Sequence, residues 1–189
     1  SVAWGELRAD HTVGDSLRIG LYEEMLARSR ELGSLANHVV LLADIGQAYA
    51  NLGEMGLARE RYLEALELSE GVDFAWMTCQ ILGTLAAIEA NEGELDRGRE
   101  YLDRLSRRAT ASRMAQQSAR AEVFRGNWAL TDQRPTTAYL HYQEARRICR
   151  DFKGGQIEVR YISGLARFYR RLGCGSIVSR LADQAEALY

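Results

Sequence analysis

Apolar positions recur along this chain at helical spacing, and the recurrence is broken at regular intervals. In "IGQAYANLGEMGLARERYLEALELS", from Ile45 to Ser69, the spacing predicts a helix, a short break at Leu52-Gly53-Glu54 and a second helix. The same pattern returns. Gly53, Gly93, Gln133 and Gly173 each mark such a break and lie 40 residues apart, and Val13-Gly14 falls where an earlier break is expected. Breaks are predicted near 11–14, 32–34, 52–55, 71–73, 92–94, 109–111, 132–135, 153–155 and 173–175, with about ten helices between them, the first truncated. At helix starts, Asp73 is expected to cap a helix from Phe74, and Pro135 to open one with Asp132 as its cap.

The repeat has columns. Small residues run Gly46, Ala86, Gly126, Ala166; others run Ala58, Gly98, Ala138, Val178 and Ala65, Leu105, Ala145, Ala185. A bulky column runs Tyr22, Tyr62, Leu102, Tyr142 and is broken by Ala182, and Leu42, Leu82, Ile162 and Ile45, Leu85, Leu165 fill apolar ones. Small residues let two helix backbones approach closely, and a large side chain one turn away fills the neighbouring groove. One hairpin cannot bury its apolar face alone. Stacked at a fixed period, each covers the next.

The small-x-x-aromatic of Gly46 and Tyr49, the turn at Gly53, and Ala58, Tyr62 and Ala65 resemble the signature of the tetratricopeptide repeat family. The ordinary repeat has about 34 residues. A 40-residue period is similar to the longer-helix subtype of polarity-complex adaptors, bacterial quorum-response regulators and the effector domains of maltose-activator-type transcription regulators. The resemblance implies an all-α fold, a right-handed solenoid of α-α hairpins spanning 1–189 as one repeat domain. Its units are expected at about 1–33, 34–72, 73–110, 111–154 and 155–189, with the six extra residues going to longer helices and a longer link between units. The opening "SVAWGELRAD" and the apolar ending "LADQAEALY" suggest a segment of a longer chain, or repeat ends that pack on another molecule.

Composition narrows the function. With 189 residues, 47% of them hydrophobic, the chain suits one compact domain or one stack. No apolar run approaches the roughly 18 residues of a membrane span. Three scattered cysteines (Cys79, Cys149, Cys174) fit no disulfide framework and suit a reducing, cytoplasmic setting. The net charge of -2 conceals an asymmetry: residues 1–96 carry 6 Arg against 17 Asp/Glu, and residues 97–171 carry 17 Arg/Lys against 7. Such a charge gradient orients an approaching partner.

Catalytic patterns are missing. His11, His38 and His141 have no metal-ligand spacing, and no nucleophile elbow occurs. "GEMG" and "GCGS" follow helices rather than strands, so neither is a phosphate cradle. Neighbouring carboxylates such as Glu60/Glu64 and Glu64/Glu67 suit a solvated helix face. The expectation is therefore no enzyme, no cofactor and no metal.

The resemblance implies instead a concave groove lined by the first helix of each unit. Its polar candidates are Gln47, Asn51, Gln80, Asn91, Arg120, Asn127, Arg160, Arg167, Arg170 and Arg171. They grade from neutral amides to arginines, which suits a protein or peptide partner carrying carboxylates. One unit departs from the columns: Glu122 and Arg125 stand where Leu or Ile stands elsewhere. Either that helix is rotated so that Phe124 faces inward, the simpler account, or the two form a partly buried pair. Trp76 and Trp128 are expected in the core or groove wall, and Trp4 at an exposed packing surface.

Two functions follow: an interaction scaffold that docks a peptide or helix, or the sensory or oligomerisation region of a multidomain bacterial transcription regulator. Self-association through exposed repeat ends belongs with the second. No membrane partner is expected. Direct nucleic-acid binding is disfavoured, because the aromatics are not interleaved with Arg on one face and the acidic half repels phosphates.

Overall fold

The computed structural model describes the backbone of residues 2–31, 33–150 and 155–186, and the side chains of 14–29, 31, 33–150 and 158–186. Those residues form helices α1 (Val2–Glu31), α2 (Leu35–Leu52), α3 (Met55–Gly71), α4 (Ala75–Glu92), α5 (Leu95–Ala111), α6 (Ala115–Thr131), α7 (Pro135–Arg150), α8 (Gly155–Arg171) and α9 (Gly175–Glu186). No strand occurs among them.

The turns explain the period. A left-handed backbone occurs at Gly33, Gly53, Asp73, Gly93, Arg113 and Gln133, each twenty residues after the last, and again at Gly173. Every one ends a helix in the same way. The N–H after the left-handed residue reaches back to the carbonyl five residues before it, as in Glu54 to Tyr49 (2.9 Å), Met114 to Ala109 (2.8 Å) and Arg134 to Ala129 (2.7 Å). The next helix starts at once, with Ala58 N–H on the Glu54 carbonyl at 3.0 Å and Ala138 N–H on that of Arg134 at 3.0 Å. Two such halves make the 40-residue unit.

Several expectations change accordingly. Links between units (72–74 and 112–114) exceed the links within the first two full units (53–54 and 93–94) by a single residue, so most of the residues beyond an ordinary repeat lie in the helices. The predicted break at 109–111 falls later, between Ala111 and Ala115. Asp73 is itself the left-handed residue (φ 51°), while Phe74 occupies the N-cap position. Asp132 sits at the C-cap of α6 rather than as a cap for α7, although Pro135 does open α7. The break expected at 11–14 does not form, because α1 runs through it. Twenty residues before Gly33 stands Val13, and a β-branched side chain in the left-handed region is strongly disfavoured, so the helix continues.

The chain divides into two compact units, 1–101 and 102–189. In the first, α1 packs on α2, α2 on α3 and α3 on α4. Val39, Leu42, Ile45, Leu82 and Leu85 form its interior, and the buried Glu89 carboxylate of α4 is held by Arg59 of α3 at 2.8 Å. In the second, α6 packs on α7, α7 on α8 and α8 on α9. Its core gathers Val123, Leu130, Tyr142, Ile162, Leu165 and Phe168. The small-residue columns lie inside up to the last unit: Ala58, Ala65, Ala138 and Ala145 are fully buried and Gly46 and Gly126 are buried, while Ala166, Val178 and Ala185 are half-buried. Trp128 is also buried, whereas Trp76 is 47% exposed and so is not a core residue. Trp4 and His11 fall outside the described side chains.

Candidate functional site

Two tyrosines of the bulky column, Tyr62 and Tyr142, each pack on a glycine and send the hydroxyl past it. A Cβ on Gly46 would meet the Tyr62 ring at 3.1 Å. Beyond that contact, Tyr62 OH donates to Gln47 Oε1 at 3.4 Å, and Gln47 Nε2 donates to Asn51 Oδ1 at 2.9 Å. Burial, and then the Asp44 charge, push the Tyr62 hydroxyl up to about 12. Burial also raises the Asp44 carboxyl. Gln47 and Asn51 thus form a fixed amide pair on the exposed side of α2. On α4, Gln80 is half-buried and Asn91 exposed.

The second unit repeats this arrangement with arginines added. Asn127 Oδ1 accepts from Tyr142 OH at 2.8 Å and from Arg167 Nη2 at 2.7 Å. Arg171 Nη1 donates to the Leu130 carbonyl. Burial pushes the Tyr142 hydroxyl up to about 12 against the opposing charges of Arg167 and Arg171. At 100° per residue, Arg160, Arg167 and Arg171 stand in one exposed row of α8, with Arg170 off to the side. On α6 the Arg120 guanidinium lies over the Phe124 ring, 5.6 Å from its centre. Of the sequence candidates, then, bonds join Gln47 to Asn51 and Asn127 to Arg167.

The departure in α6 is a partly buried ionic cluster, not a rotation. Glu122 and Arg125 keep the core columns and pair at 2.8 Å, their side chains only 16% and 26% exposed. Arg125 also holds Asp103 of α5 at 2.6 Å, and His141 Nδ1 of α7 lies 2.8 Å from Glu122 Oε2. Burial alone pushes the Glu122 carboxyl up, but the hydrogen bonds and charges of His141 and Arg125 outweigh it and hold the group below its ordinary value. Burial likewise opposes the Arg125 charge, and Asp103 and Glu122 prevail. Asp103 and His141 were not foreseen as partners; the only signal was the charged pair in two apolar columns.

The described residues contain no group of His, Cys, Asp and Glu able to hold a metal ion, and no helix long and apolar enough to cross a membrane. Cys79 and Cys149 are buried, and burial with the nearby Glu158 charge pushes the Cys149 thiol up to about 11.

No family model matches the chain, and no curated protein matches it in sequence. Solved structures do. BtubC (BKLC) from P. vanneervenii superposes with a TM-score of 0.72 at 19% identity, over 89% of this chain and 70% of that one. The apo form of RapI gives 0.68 at 16%, over 93% of this chain, which spans 62% of RapI's length. The kinesin light chain TPR-like repeats of Podosopora anserina give 0.65 at 14%, over 97% and 92%. The fold is accordingly an all-α solenoid of tetratricopeptide-like hairpins.

Proposed function

We propose that this chain is a protein-interaction scaffold rather than an enzyme, and that the inner-helix face of its second unit grips an acidic peptide or helix. The observation that carries this reading is the Arg160, Arg167 and Arg171 row, with Arg167 fixed by an asparagine that a buried tyrosine also holds. A guanidinium fixed in advance loses less side-chain freedom when a carboxylate arrives. Each charge-assisted bond is worth about 1.5–3 kcal/mol where the partner excludes water, and far less where it does not. The amides Gln47, Asn51, Gln80 and Asn91 offer the first unit's inner helices a neutral counterpart, suited to main-chain groups of a peptide. Arg120 and Arg170 flank the row's helices as further contacts. Three separate thiols and this peptide-docking role together suit the cytoplasm.

The test is fluorescence anisotropy with labelled acidic and basic peptides of equal length. Acidic peptides are expected to bind more tightly, with Arg167→Glu weakening them at least tenfold and Asn127→Ala less. Affinities that ignore both substitutions for every peptide would sink the reading.

A second reading, the sensory or oligomerisation region of a larger transcription regulator, draws support from a different place. Leu17, Leu21 and Met25 recur at four-residue spacing on α1 and are 66%, 60% and 52% exposed. Such an apolar strip suits self-association. A parent sequence without any helix-turn-helix segment would count against a regulator.

A further inference from the structure

The repeat builds a second kind of site, away from the inner-helix face. In the first unit a cleft of about 380 Å³ is lined by Ser29, His38, Glu64, Glu67 and residues 33–35. In the second unit a cleft of about 460 Å³ is lined by Ala109, Ser118, Glu144, Arg147 and residues 113–115. These are the same repeat positions, eighty residues on. Both clefts therefore arise from the turn that joins an outer helix to the next inner one. On α6, positions 118, 122 and 125 lie about 180° from 120, 124 and 127 at 100° per residue, so this cleft and the inner-helix face occupy opposite sides.

What differs is the floor. In the first unit the core columns beneath the cleft hold Leu26, Leu42 and Ile45, which are buried and do not line it. Eighty residues later the same columns hold Ser106, Glu122 and Arg125, and all three line the cleft. An apolar floor would be as stable as this ionic one or more so, since buried pairs seldom repay their desolvation. The polar floor points to a ligand.

The unused hydrogen-bonding capacity identifies its sign. Both carboxylates of the cleft already accept two bonds: Glu122 from Arg125 and His141, Glu144 from Arg147 Nε and Nη2 at 2.8 and 2.7 Å. Donors remain over. Arg125 has five N–H groups and directs one each at Asp103 and Glu122. Arg113 is exposed and forms no ion pair among the described residues, and the buried Ser106 hydroxyl has no partner. Ala109, Met114 and Ile148 supply an apolar wall. We propose that the cleft between α5, α6 and α7 binds an anionic group, a carboxylate or a phosphate monoester, through Arg113, Arg125 and Ser106. The first unit's cleft, with Glu64 and Glu67 at the equivalent place and Gly33 for Arg113, does not.

Amide chemical shifts followed by NMR at constant ionic strength test this, with inorganic phosphate and acetate as separate probes. Shifts at 106 and 113–118 are expected to saturate with at least one probe while those at 33–38 stay still. Saturation by phosphate alone assigns a phosphate monoester, by acetate alone a carboxylate, and by both an anion site open to either. Arg113→Gly copies the residue of the first unit and suits the left-handed backbone there, so the fold is expected to hold while affinity falls at least fivefold. Ser106→Ala is expected to weaken binding about twofold. Still amides at 106 and 113–118 with both probes, an equal response at 33–38, or Arg113→Gly titrating like the parent would each overturn the proposal.

Discussion

The Tyr142 ring leaves no room for a side chain on Gly126: a Cβ there would stand 2.6 Å from Cε1. Gly164 of α8 meets the same ring from its own side, so one buried tyrosine of α7 is seated against glycines of both α6 and α8. The hydroxyl then emerges to donate to Asn127 Oδ1, the oxygen that also accepts from the guanidinium of Arg167. Core packing and the position of an exposed guanidinium are thus tied to one residue.

Gly126→Ala tests that dependence. The ring is fully buried and rigid, so the added methyl must displace it or spread the helices, at a cost of about 1–3 kcal/mol. Gly46→Ala is expected to cost less, since its nearest ring contact is 3.1 Å. Urea denaturation of both variants measures the difference, and equal midpoints would contradict it.

The Glu122 cluster gives a pH dependence with a definite sign. Its folded value lies below the ordinary 4.5. Its contribution is therefore complete above 4.5 and is lost as the pH falls through the lower folded value. Stability is expected to drop on the acid side of pH 4.5 more steeply in the parent than in Glu122→Gln. Denaturation midpoints between pH 7 and pH 3 supply the comparison.

The same cluster separates the cost of burying a pair from the cost of breaking it. Glu122→Leu alone leaves Arg125 with Asp103 only, and is expected to lose about 1–3 kcal/mol. Glu122→Leu with Arg125→Ile restores the residue types of Leu42 and Ile45, and is expected to match or exceed the parent at pH 7. A double variant less stable than the single one would show that the ionic floor stabilises the fold.

The 40-residue period was legible because it rests on residue size: alanine and glycine where helices touch, tyrosine where a groove must be filled. The breaks about every twenty residues were legible as well, but not the residue that turns the chain at two of them, since Asp73 and Arg113 hold left-handed turns that glycine holds elsewhere. Nor could the sequence show why Val13-Gly14 fails to turn, until the register placed valine at the left-handed position. For the site, arginine spacing on α8 revealed the exposed row. The cluster escaped because Asp103 and His141 reach α6 from two other helices, and nothing in their own columns marks them.

Turn chemistry yields a stabilising substitution. Gln133 is exposed and adopts φ 55°, a region that costs a residue with a Cβ about 1–2 kcal/mol. Gly53, Gly93 and Gly173 hold the same place in the repeat. Gln133→Gly removes that strain but gains unfolded-chain entropy, so a net increase of roughly 0.5–1 kcal/mol is expected by thermal and urea denaturation.

The α1 strip makes the last prediction. Met25 shares its column with Ala65, Leu105 and Ala145, all fully buried, yet it is 52% exposed. The cause is the unbroken run of α1 from Val2 to Glu31. Had the chain turned at Val13, an inner helix would lie against Leu21 and Met25 as α2 lies against α3. Two copies of α1 set side by side would cover Leu17, Leu21 and Met25 at once, each strip meeting its own image. Sedimentation equilibrium is expected to show association that grows with concentration and disappears in Leu21→Glu with Met25→Glu. Because both side chains already face water, circular dichroism of the double variant should match the parent. A parent that stays monomeric at high concentration would leave the strip without this role, and the regulator reading without its main support.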